Sequence, residues 1–319
     1  MDSNGRLPET LIEAIRFFSD ADVCLSFVVQ LRWSNGITCP RCGSGDHSFL
    51  STRRVWKCKG CKKQFSVKLG TIFEDSPIGL DKWLPALWMV INCKNGISSY
   101  EMARALGVTQ KTAWFMNHRI RLAVQEGTFE PMSGEVEVDE TFIGGRARFM
   151  HEDKRAEKIT GTGGMGKTAV MGLLERHGKD GHSRVKAKVV PNTRRKTLSP
   201  EVRENVEEGS EVFTDALKSY SDLSDAYTHQ VIDHAECYAK GKIHTNGLEN
   251  FWSLLKRSIK GTYVSVEPFH LFRYLDEQSF RYNTRKLTDG MRFLSAAVGI
   301  IGKRVTYAAL TGKEEPQTA

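Results

Sequence analysis

The sequence predicts a multidomain protein of mixed α+β and α/β class, and three patterns lead to this prediction. Four cysteines form two C-x2-C pairs near the N-terminus, and two helical patterns separated by Gly107 follow them. From Gly134 onward, short apolar segments with a period of two replace the helical period. In chain order we expect an N-terminal helical segment (1–36), a zinc ribbon (37–70), a helix-turn-helix region (71–130), a mixed sheet flanked by helices (131–285), and a C-terminal helix and tail (286–319).

The cysteine spacing is the most informative of these patterns. Cys39, Cys42, Cys58 and Cys61 follow the pattern C-x2-C-x15-C-x2-C, which is typical of a tetrahedral four-thiolate zinc site. Two disulfides are the alternative, but the chain begins with neither the basic start nor the apolar run of a secretory signal. Because four thiolates leave no open position for water, we expect the zinc to be structural.

Composition narrows the class of partner. The 319 residues carry a formal net charge of +8, a basic excess that favours phosphate backbones. Within the ribbon, Arg53, Arg54 and Lys57 surround Trp56, so we predict that this module contacts DNA. The sequence contains no apolar run long enough to span a membrane, and we expect a cytoplasmic protein.

Residues 98–121 have the pattern of a helix-turn-helix. Ser98 followed by Glu101 predicts a capping box, Gly107 ends that helix, and Thr109 caps the next one. An αα-hairpin whose glycine only ends a helix is the alternative. If the second helix enters DNA, the residues on or near it that reach phosphates or bases are Gln110, Lys111, Asn117, Arg119 and Arg121.

The second half of the chain predicts a mixed α/β sheet. Residues 146–168 are basic and glycine-rich, which predicts an exposed loop. The predicted elements are strands around 136–138, 169–174, 185–190, 211–215 and 231–232, with helices over 198–206 and 246–259.

Acidic residues stand at the ends of two predicted strands. Asp139 ends the first strand and Asp215 ends the fourth, and Glu249 lies on the polar face of the last helix together with Asn246 and Lys256. Oxygen ligands without a matching cysteine or histidine cluster favour Mg²⁺ or Mn²⁺. Two such ions about 4 Å apart support in-line attack at phosphorus. Strand-end carboxylates without a metal are the alternative that spacing alone leaves open.

Four motifs in this half resemble the DDE transposases of bacterial insertion sequences, in particular the subgroup with an N-terminal zinc ribbon. They are Val138-Asp139-Glu140-Thr141-Phe142-Ile143-Gly144-Gly145, Thr214-Asp215, the block from His244 to Arg257, and the segment Phe280-Arg281-Tyr282-Asn283-Thr284-Arg285. The resemblance implies an RNase H-like core in which Asp139, Asp215 and Glu249 bind two Mg²⁺ ions. It also implies that Lys256 contacts the transposon end. Asn246 competes with Glu249 as the third ligand, and Glu140 either assists the site or faces the other side of its strand.

The resemblance further implies the activity and its partners. The protein would bind terminal inverted repeats as an oligomer, cleave one strand to free a 3′-hydroxyl, and join that hydroxyl to target DNA, in association with the bacterial nucleoid. A DNA-binding regulator without catalysis is the main alternative. A P-loop at Gly161–Thr168 is disfavoured, because charged residues precede it and a strand-like segment follows it.

Overall fold

The computed structural model describes residues 7–125, 130–145, 151–159, 166–178, 180–215, 218–232 and 244–313. They belong to two compact units, Met1–Gln125 with Lys286–Ala319, and Glu126–Arg285. Within these ranges, every helix is too short or too polar to cross a lipid bilayer.

Eleven α-helices are found among the described residues. They are α1 (Leu11–Phe17), α2 (Ala21–Arg32), α3 (Leu80–Asn92), α4 (Ser99–Leu106), α5 (Gln110–Ala123), α6 (Glu152–Lys158), α7 (Arg195–Asn205), α8 (Asn246–Ser258), α9 (Leu271–Asn283), α10 (Asp289–Val298) and α11 (Tyr307–Leu310).

Two sheets are present in the same part of the chain. A three-stranded antiparallel sheet has the order β1-β2-β3 and lies in the first unit. A five-stranded mixed sheet has the order β6-β5-β4-β7-β8 and lies in the second. The strands are β1 (His47–Leu50), β2 (Val55–Cys58), β3 (Gln64–Phe65), β4 (Glu135–Ile143), β5 (Thr168–Glu175), β6 (Arg184–Val190), β7 (Glu211–Asp215) and β8 (Thr228–Ile232).

An aromatic cluster holds the helices of the first unit together. Phe293 on α10 lies 5.4 Å from Phe18, 5.7 Å from Phe27 and 5.3 Å from Trp88, measured between ring centroids. All four side chains are buried. Because aromatic contacts of this kind stabilise beyond their buried area, α10 is an integral part of the N-terminal core.

The predicted start and end of α4 and the predicted start of α5 are present. Ser98 accepts a hydrogen bond from the Glu101 N–H while Glu101 accepts one from the Ser98 N–H, which forms the expected capping box. Gly107 ends α4 with φ of 60°, a left-handed conformation that glycine adopts at little cost. Thr109 then caps α5 by accepting from the Thr112 N–H.

The five-stranded sheet confirms the mixed α/β prediction. Strands β4, β5 and β6 pair antiparallel, whereas β7 pairs parallel with both β4 and β8. One face packs against α7 through a core that includes Val136, Val138 and Leu198. The other face packs against α8 and α9 through Val170, Leu248 and further apolar side chains. Both faces of β4 and β5 are therefore covered.

Part of the predicted loop at 146–168 is helical, so that prediction was wrong for residues 152–158. Glu152 and Asp153 stand in the first turn of α6, where acidic side chains offset the helix dipole. The P-loop pattern lies partly outside the described residues, and its last member, Thr168, begins β5.

A side chain from α9 hydrogen-bonds the main chain of the edge strand β6 at one residue. The Asn283 amide accepts a hydrogen bond from the Val185 N–H at 2.7 Å and donates one to the Val185 carbonyl at 2.9 Å. Asn283 therefore replaces a neighbouring strand at that position, which gives part of the Phe280–Arg285 motif a structural role.

Gly172 permits the close approach of α8 to the sheet. A Cβ atom at this position would lie 2.5 Å from Trp252 Cζ2 and 2.9 Å from Leu248 Cδ2. We expect Gly172→Ala to displace α8 and to lower the free energy of unfolding by about 1–3 kcal/mol. Urea unfolding measures the loss, with Gly261→Ala as the control because a Cβ there meets no atom within 4 Å. Equal stability of the two variants would contradict this packing.

Candidate functional site

The four predicted cysteine ligands converge in the ribbon. Their sulfurs all lie within 4.8 Å of one another, with Cys39 Sγ 3.8 Å from Cys61 Sγ and Cys42 Sγ 3.6 Å from Cys58 Sγ. Thiolates bound tetrahedrally at about 2.3 Å from zinc are separated by about 3.8 Å, so the cluster fits this ion. The Cys61 N–H donates to Cys58 Sγ and lowers the pKa of Cys58 to about 6, which favours the thiolate that zinc requires.

The sheet of the ribbon presents the predicted basic residues to solvent. Arg53, Arg54 and Lys57 are exposed on or near β2, while Trp56 is buried and stacks on Phe65 at 5.8 Å. Arg54 Nε forms an ion pair with Asp22 Oδ1 at 2.6 Å, although both side chains remain open to water. Trp56 and Phe65 thus form the core of the ribbon, whereas Phe49 on β1 is exposed.

The prediction that Arg119 contacts DNA was wrong. Arg119 is 4% exposed, and its Nη1 donates to the carbonyls of Ile72 and Glu74. Asn117 and Arg121, predicted with it, are buried as well. A guanidinium used to satisfy main-chain carbonyls is not available to phosphates.

The start of α5 differs from its middle. Lys111 is exposed, and its Nζ lies 4.8 Å from the centroid of the Tyr307 ring. Gln110 is half-buried and donates to the Ser99 hydroxyl at 2.8 Å. Of the predicted contacts on this helix, these two keep access to the surface.

The parallel strands β4 and β7 bring Asp139 and Asp215 together. Asp215 ends β7 as predicted, but the prediction that Asp139 ends its strand was wrong, because β4 continues to Ile143. Parallel strands β4 and β7 pair Glu137 with Phe213, and continuing that register places Asp139 opposite Asp215. One carboxylate oxygen each of Asp139, Glu140 and Asp215 lies within 4.8 Å of the others. The sequence therefore predicted two members of the group, and Glu140, which it left open, is the third. Glu249, the predicted third ligand, lies outside this group.

Glu140 has an unusual environment for a carboxylate. Its Oε1 atom is buried and has no hydrogen-bond partner. Burial, followed by the charges of Asp215 and Asp139, raises the pKa of Glu140 to about 9. The pKa of Asp139 is raised to about 6 by burial and by the charges of Asp215 and Glu249, against hydrogen bonds from Trp252 and the Glu140 N–H. A cation bound among these carboxylates would stabilise their ionised forms.

Helix α8 completes the surroundings of Asp139. Trp252 Nε1 donates to Asp139 Oδ2 at 2.9 Å, a contact that the sequence did not predict. Glu249 stands one turn earlier on the same helix with an exposed side chain, and its charge raises the pKa of Asp139. Asn246 and Lys256 are exposed on the same helix, while Leu248, Trp252 and Leu255 are buried, as the helical pattern predicted.

The fold and these two clusters define a class of protein, one with a zinc ribbon and an α/β domain whose acidic side chains gather on two neighbouring parallel strands. Comparisons with known proteins narrow that class. Residues 131–283 match the family described as ISXO2-like transposase domain, and residues 19–64 match the transposase zinc-ribbon domain of the same group.

Two curated relatives agree with these matches. An uncharacterized protein in the transposable element ISH50 of Halobacterium salinarum is 27% identical over 255 residues, which cover 76% of this chain and 84% of the relative. An uncharacterized transposase-like protein of Haemophilus influenzae is 33% identical over 112 residues, 34% of this chain and 89% of the relative. The chain belongs to the insertion-sequence DDE transposases that carry an N-terminal zinc ribbon.

Proposed function

We propose that this protein binds transposon ends and catalyses metal-dependent cleavage and transfer of DNA strands. The observation that carries the proposal is the group of carboxylates from Asp139 and Glu140 in the middle of β4 and Asp215 at the end of β7. The strand order, with three antiparallel strands followed by two parallel ones, supports an RNase H-like core.

The carboxylates suit a hard divalent cation. All three offer oxygen, the ligand type of Mg²⁺ and Mn²⁺, and the buried Glu140 Oε1 has no hydrogen-bond partner among the residues that the structure describes. Asp139, Asp215 and Glu249 would hold the metal, with Glu140 as an additional candidate ligand. When bound, two ions supply an activated nucleophilic oxygen and charge stabilisation of the leaving oxygen.

Of the two candidates for the third ligand, we favour Glu249 over Asn246. Leu248 lies against Glu137 and Trp252 lies against Asp139, so α8 advances along β4 in the same direction as the strand. Asn246 therefore stands about 4.5 Å farther along the helix axis from Asp139 than Glu249 does. Glu249 also acts on the pKa of Asp139.

The DNA contacts that we propose lie on exposed side chains of each module, apart from the half-buried Gln110. Arg53, Arg54 and Lys57 would contact DNA from the ribbon, Gln110 and Lys111 from the start of α5, and Lys256 from α8. Their cationic members would release counterions from the phosphate backbone on binding. The geometry of α4 and α5 supports a helix-turn-helix whose contacts are confined to the first turn of α5, rather than a bare αα-hairpin.

The reaction that we propose consists of two phosphoryl transfers at one site. Water first replaces the 3′ oxygen of a phosphodiester at the transposon end, which leaves a free 3′-hydroxyl. That hydroxyl then attacks a phosphodiester of target DNA and displaces its 3′ oxygen, so one ester bond replaces another. No energy cofactor is required. We further propose that two ends are joined in an oligomer at chromosomal DNA of the bacterial nucleoid.

A cleavage assay on DNA ends tests this function. DNA fragments that the purified protein selects are incubated with Mg²⁺, and nicked 3′ ends are mapped for the natural protein, for Asp215→Asn and for Asp225→Asn. We expect Asp215→Asn to bind the same DNA but to cleave it at least about 100-fold more slowly. Asp225 is an exposed acid paired with Arg203, so Asp225→Asn is expected to cleave normally.

The same assay separates an enzyme from a regulator. Specific binding by the natural protein, with no nick at any Mg²⁺ or Mn²⁺ concentration, would overturn the proposed catalysis and favour a DNA-binding regulator.

A further inference from the structure

A buried ion pair lies next to the acidic site, which comprises the carboxylates of Asp139, Glu140 and Asp215. Glu137 precedes Asp139 by two residues on β4, so both side chains point to the α8 face of the sheet. Glu137 is 1% exposed, and its Oε1 accepts a hydrogen bond from Arg176 Nε at 2.7 Å. Arg176 follows the end of β5 and is itself 7% exposed.

The second oxygen of Glu137 holds the start of α8. Glu137 Oε2 accepts from the Leu248 N–H at 2.9 Å, one of the main-chain donors that a helix leaves unpaired in its first turn. A carboxylate at this end also interacts favourably with the helix dipole. A Cβ at position 247 would lie 2.9 Å from the same oxygen, which explains a glycine there.

Arg176 extends the contacts to a third element. Its guanidinium lies 4.3 Å from the centroid of the Phe213 ring, and Phe213 precedes Asp215 by two residues on β7. The same guanidinium donates to the His244 carbonyl and contacts His244 Nδ1 at 2.8 Å. Glu135 Oε2 lies 3.3 Å from Arg176 Nη1. The guanidinium thus bridges β4, β7 and the residues that lead into α8.

Three residues of this arrangement are close in sequence to residues that would hold the metal. Glu137 is two residues before Asp139, Phe213 is two residues before Asp215, and Leu248 is adjacent to Glu249. We propose that Glu137 and Arg176 are positioning residues that set α8, and hence Glu249, at the distance from Asp139 and Asp215 that a divalent cation requires. This inference rests on the proposed metal site.

A positioning role accounts for this pair better than a general contribution to stability does. Replacing a buried ion pair by apolar residues is often neutral or stabilising, because removing two charges from water offsets much of their attraction. What the pair does supply is geometric definition, since two oxygens and a planar guanidinium fix several elements at once. Outer partners of metal ligands change metal affinity by about 10–100-fold when they are replaced.

Equilibrium titration of the zinc-loaded protein with Mn²⁺ tests the inference without relying on catalysis. We expect Glu137→Ala to weaken Mn²⁺ binding by about 10–100-fold, and Glu137→Gln, which keeps an acceptor for the Leu248 N–H, to weaken it less. If Glu137 acts through Glu249, then adding Glu137→Ala to a protein that already carries Glu249→Gln weakens Mn²⁺ binding by less than about twofold further.

A second buried pair on the same sheet provides the control. Glu175 is 3% exposed and is paired with Arg184, and its other partner is the Ser133 N–H. Both of these partners lie outside α8. We expect Glu175→Gln to lower the melting temperature while leaving Mn²⁺ affinity within about twofold, because the contact that it loses does not hold α8.

The outcomes distinguish this inference from the proposed function. Failure of the natural protein to bind Mn²⁺ would remove the metal site and, with it, this inference. Normal Mn²⁺ affinity in folded Glu137→Gln and Glu137→Ala would leave the site intact and overturn the positioning role. Equal losses for Glu137→Ala with and without Glu249 would also overturn it, because they would show that the two residues act independently.

Discussion

Replacing Cys58 by serine is expected to abolish folding of the ribbon and, with it, specific DNA binding. The ribbon has strands of four, four and two residues and a small aromatic core, which is too little buried area for independent stability. Structural zinc supplies an apparent binding free energy of about 10–16 kcal/mol to such modules. We therefore expect Cys58→Ser to release zinc and to lower affinity for transposon-end DNA by more than about 100-fold.

Zinc content, measured with a chromogenic chelator, and the near-UV circular dichroism spectrum, to which Trp56 contributes, follow this change. Cys93→Ser is the control, because Cys93 lies on the first unit outside the four-cysteine cluster. We expect it to retain zinc and to bind DNA normally. A Cys58→Ser protein with one zinc per chain and unchanged DNA affinity would show that the ribbon does not depend on this ligand.

Asp139→Asn is expected to have two opposite effects, loss of strand cleavage and gain of stability in the absence of divalent ions. In the folded protein the pKa of Asp139 is raised from 3.8 to about 6, first by burial. Because folding favours the protonated form, this carboxyl contributes its full stability below pH 4, and that contribution is lost as pH rises through about 6. At pH 7.5 the ionised group costs about 2–3 kcal/mol.

Asparagine removes that cost and can still accept the hydrogen bond from Trp252. We expect the free energy of unfolding of Asp139→Asn to exceed that of the natural protein by about 2 kcal/mol at pH 7.5 and by about half as much at pH 5. Cleavage in Mg²⁺ should fall at least about 100-fold. Denaturant unfolding in divalent-free buffer and the cleavage assay measure the two effects. A less stable variant would contradict the raised pKa, and an active one would contradict a metal-binding role.

The main elements of the second unit could be predicted from the sequence because short apolar segments bounded by polar residues or glycine are typical of strands. The alternation of apolar and acidic residues along β4 gave no indication that Glu137 is buried. Glu137 has the pattern of an outward-facing acid, yet α8 covers that face of β4, so the residue is buried. A period of two separates the faces of a strand but does not say which of them meets solvent.

The residues that sequence reasoning misjudged depend on contacts distant in the chain. Arg119 bonds to carbonyls 45 and 47 residues away, so its helical position gave no indication that it is buried. Glu140 follows Asp139 directly, and the sequence left open whether it assists the site or faces the other side of its strand. Its carboxylate belongs to the same cluster. Neither local propensity nor spacing carries information about such tertiary contacts.

The closure of β6 by Asn283 limits how copies of this protein can associate. Exposed edge strands are a common route to unwanted growth of sheets between molecules. At Val185 the main-chain donor and acceptor are already engaged by the amide of α9. A neighbouring molecule could add a strand there only after pulling the end of that helix away. Self-association that begins at this border would thus carry an energetic barrier set by a single side chain.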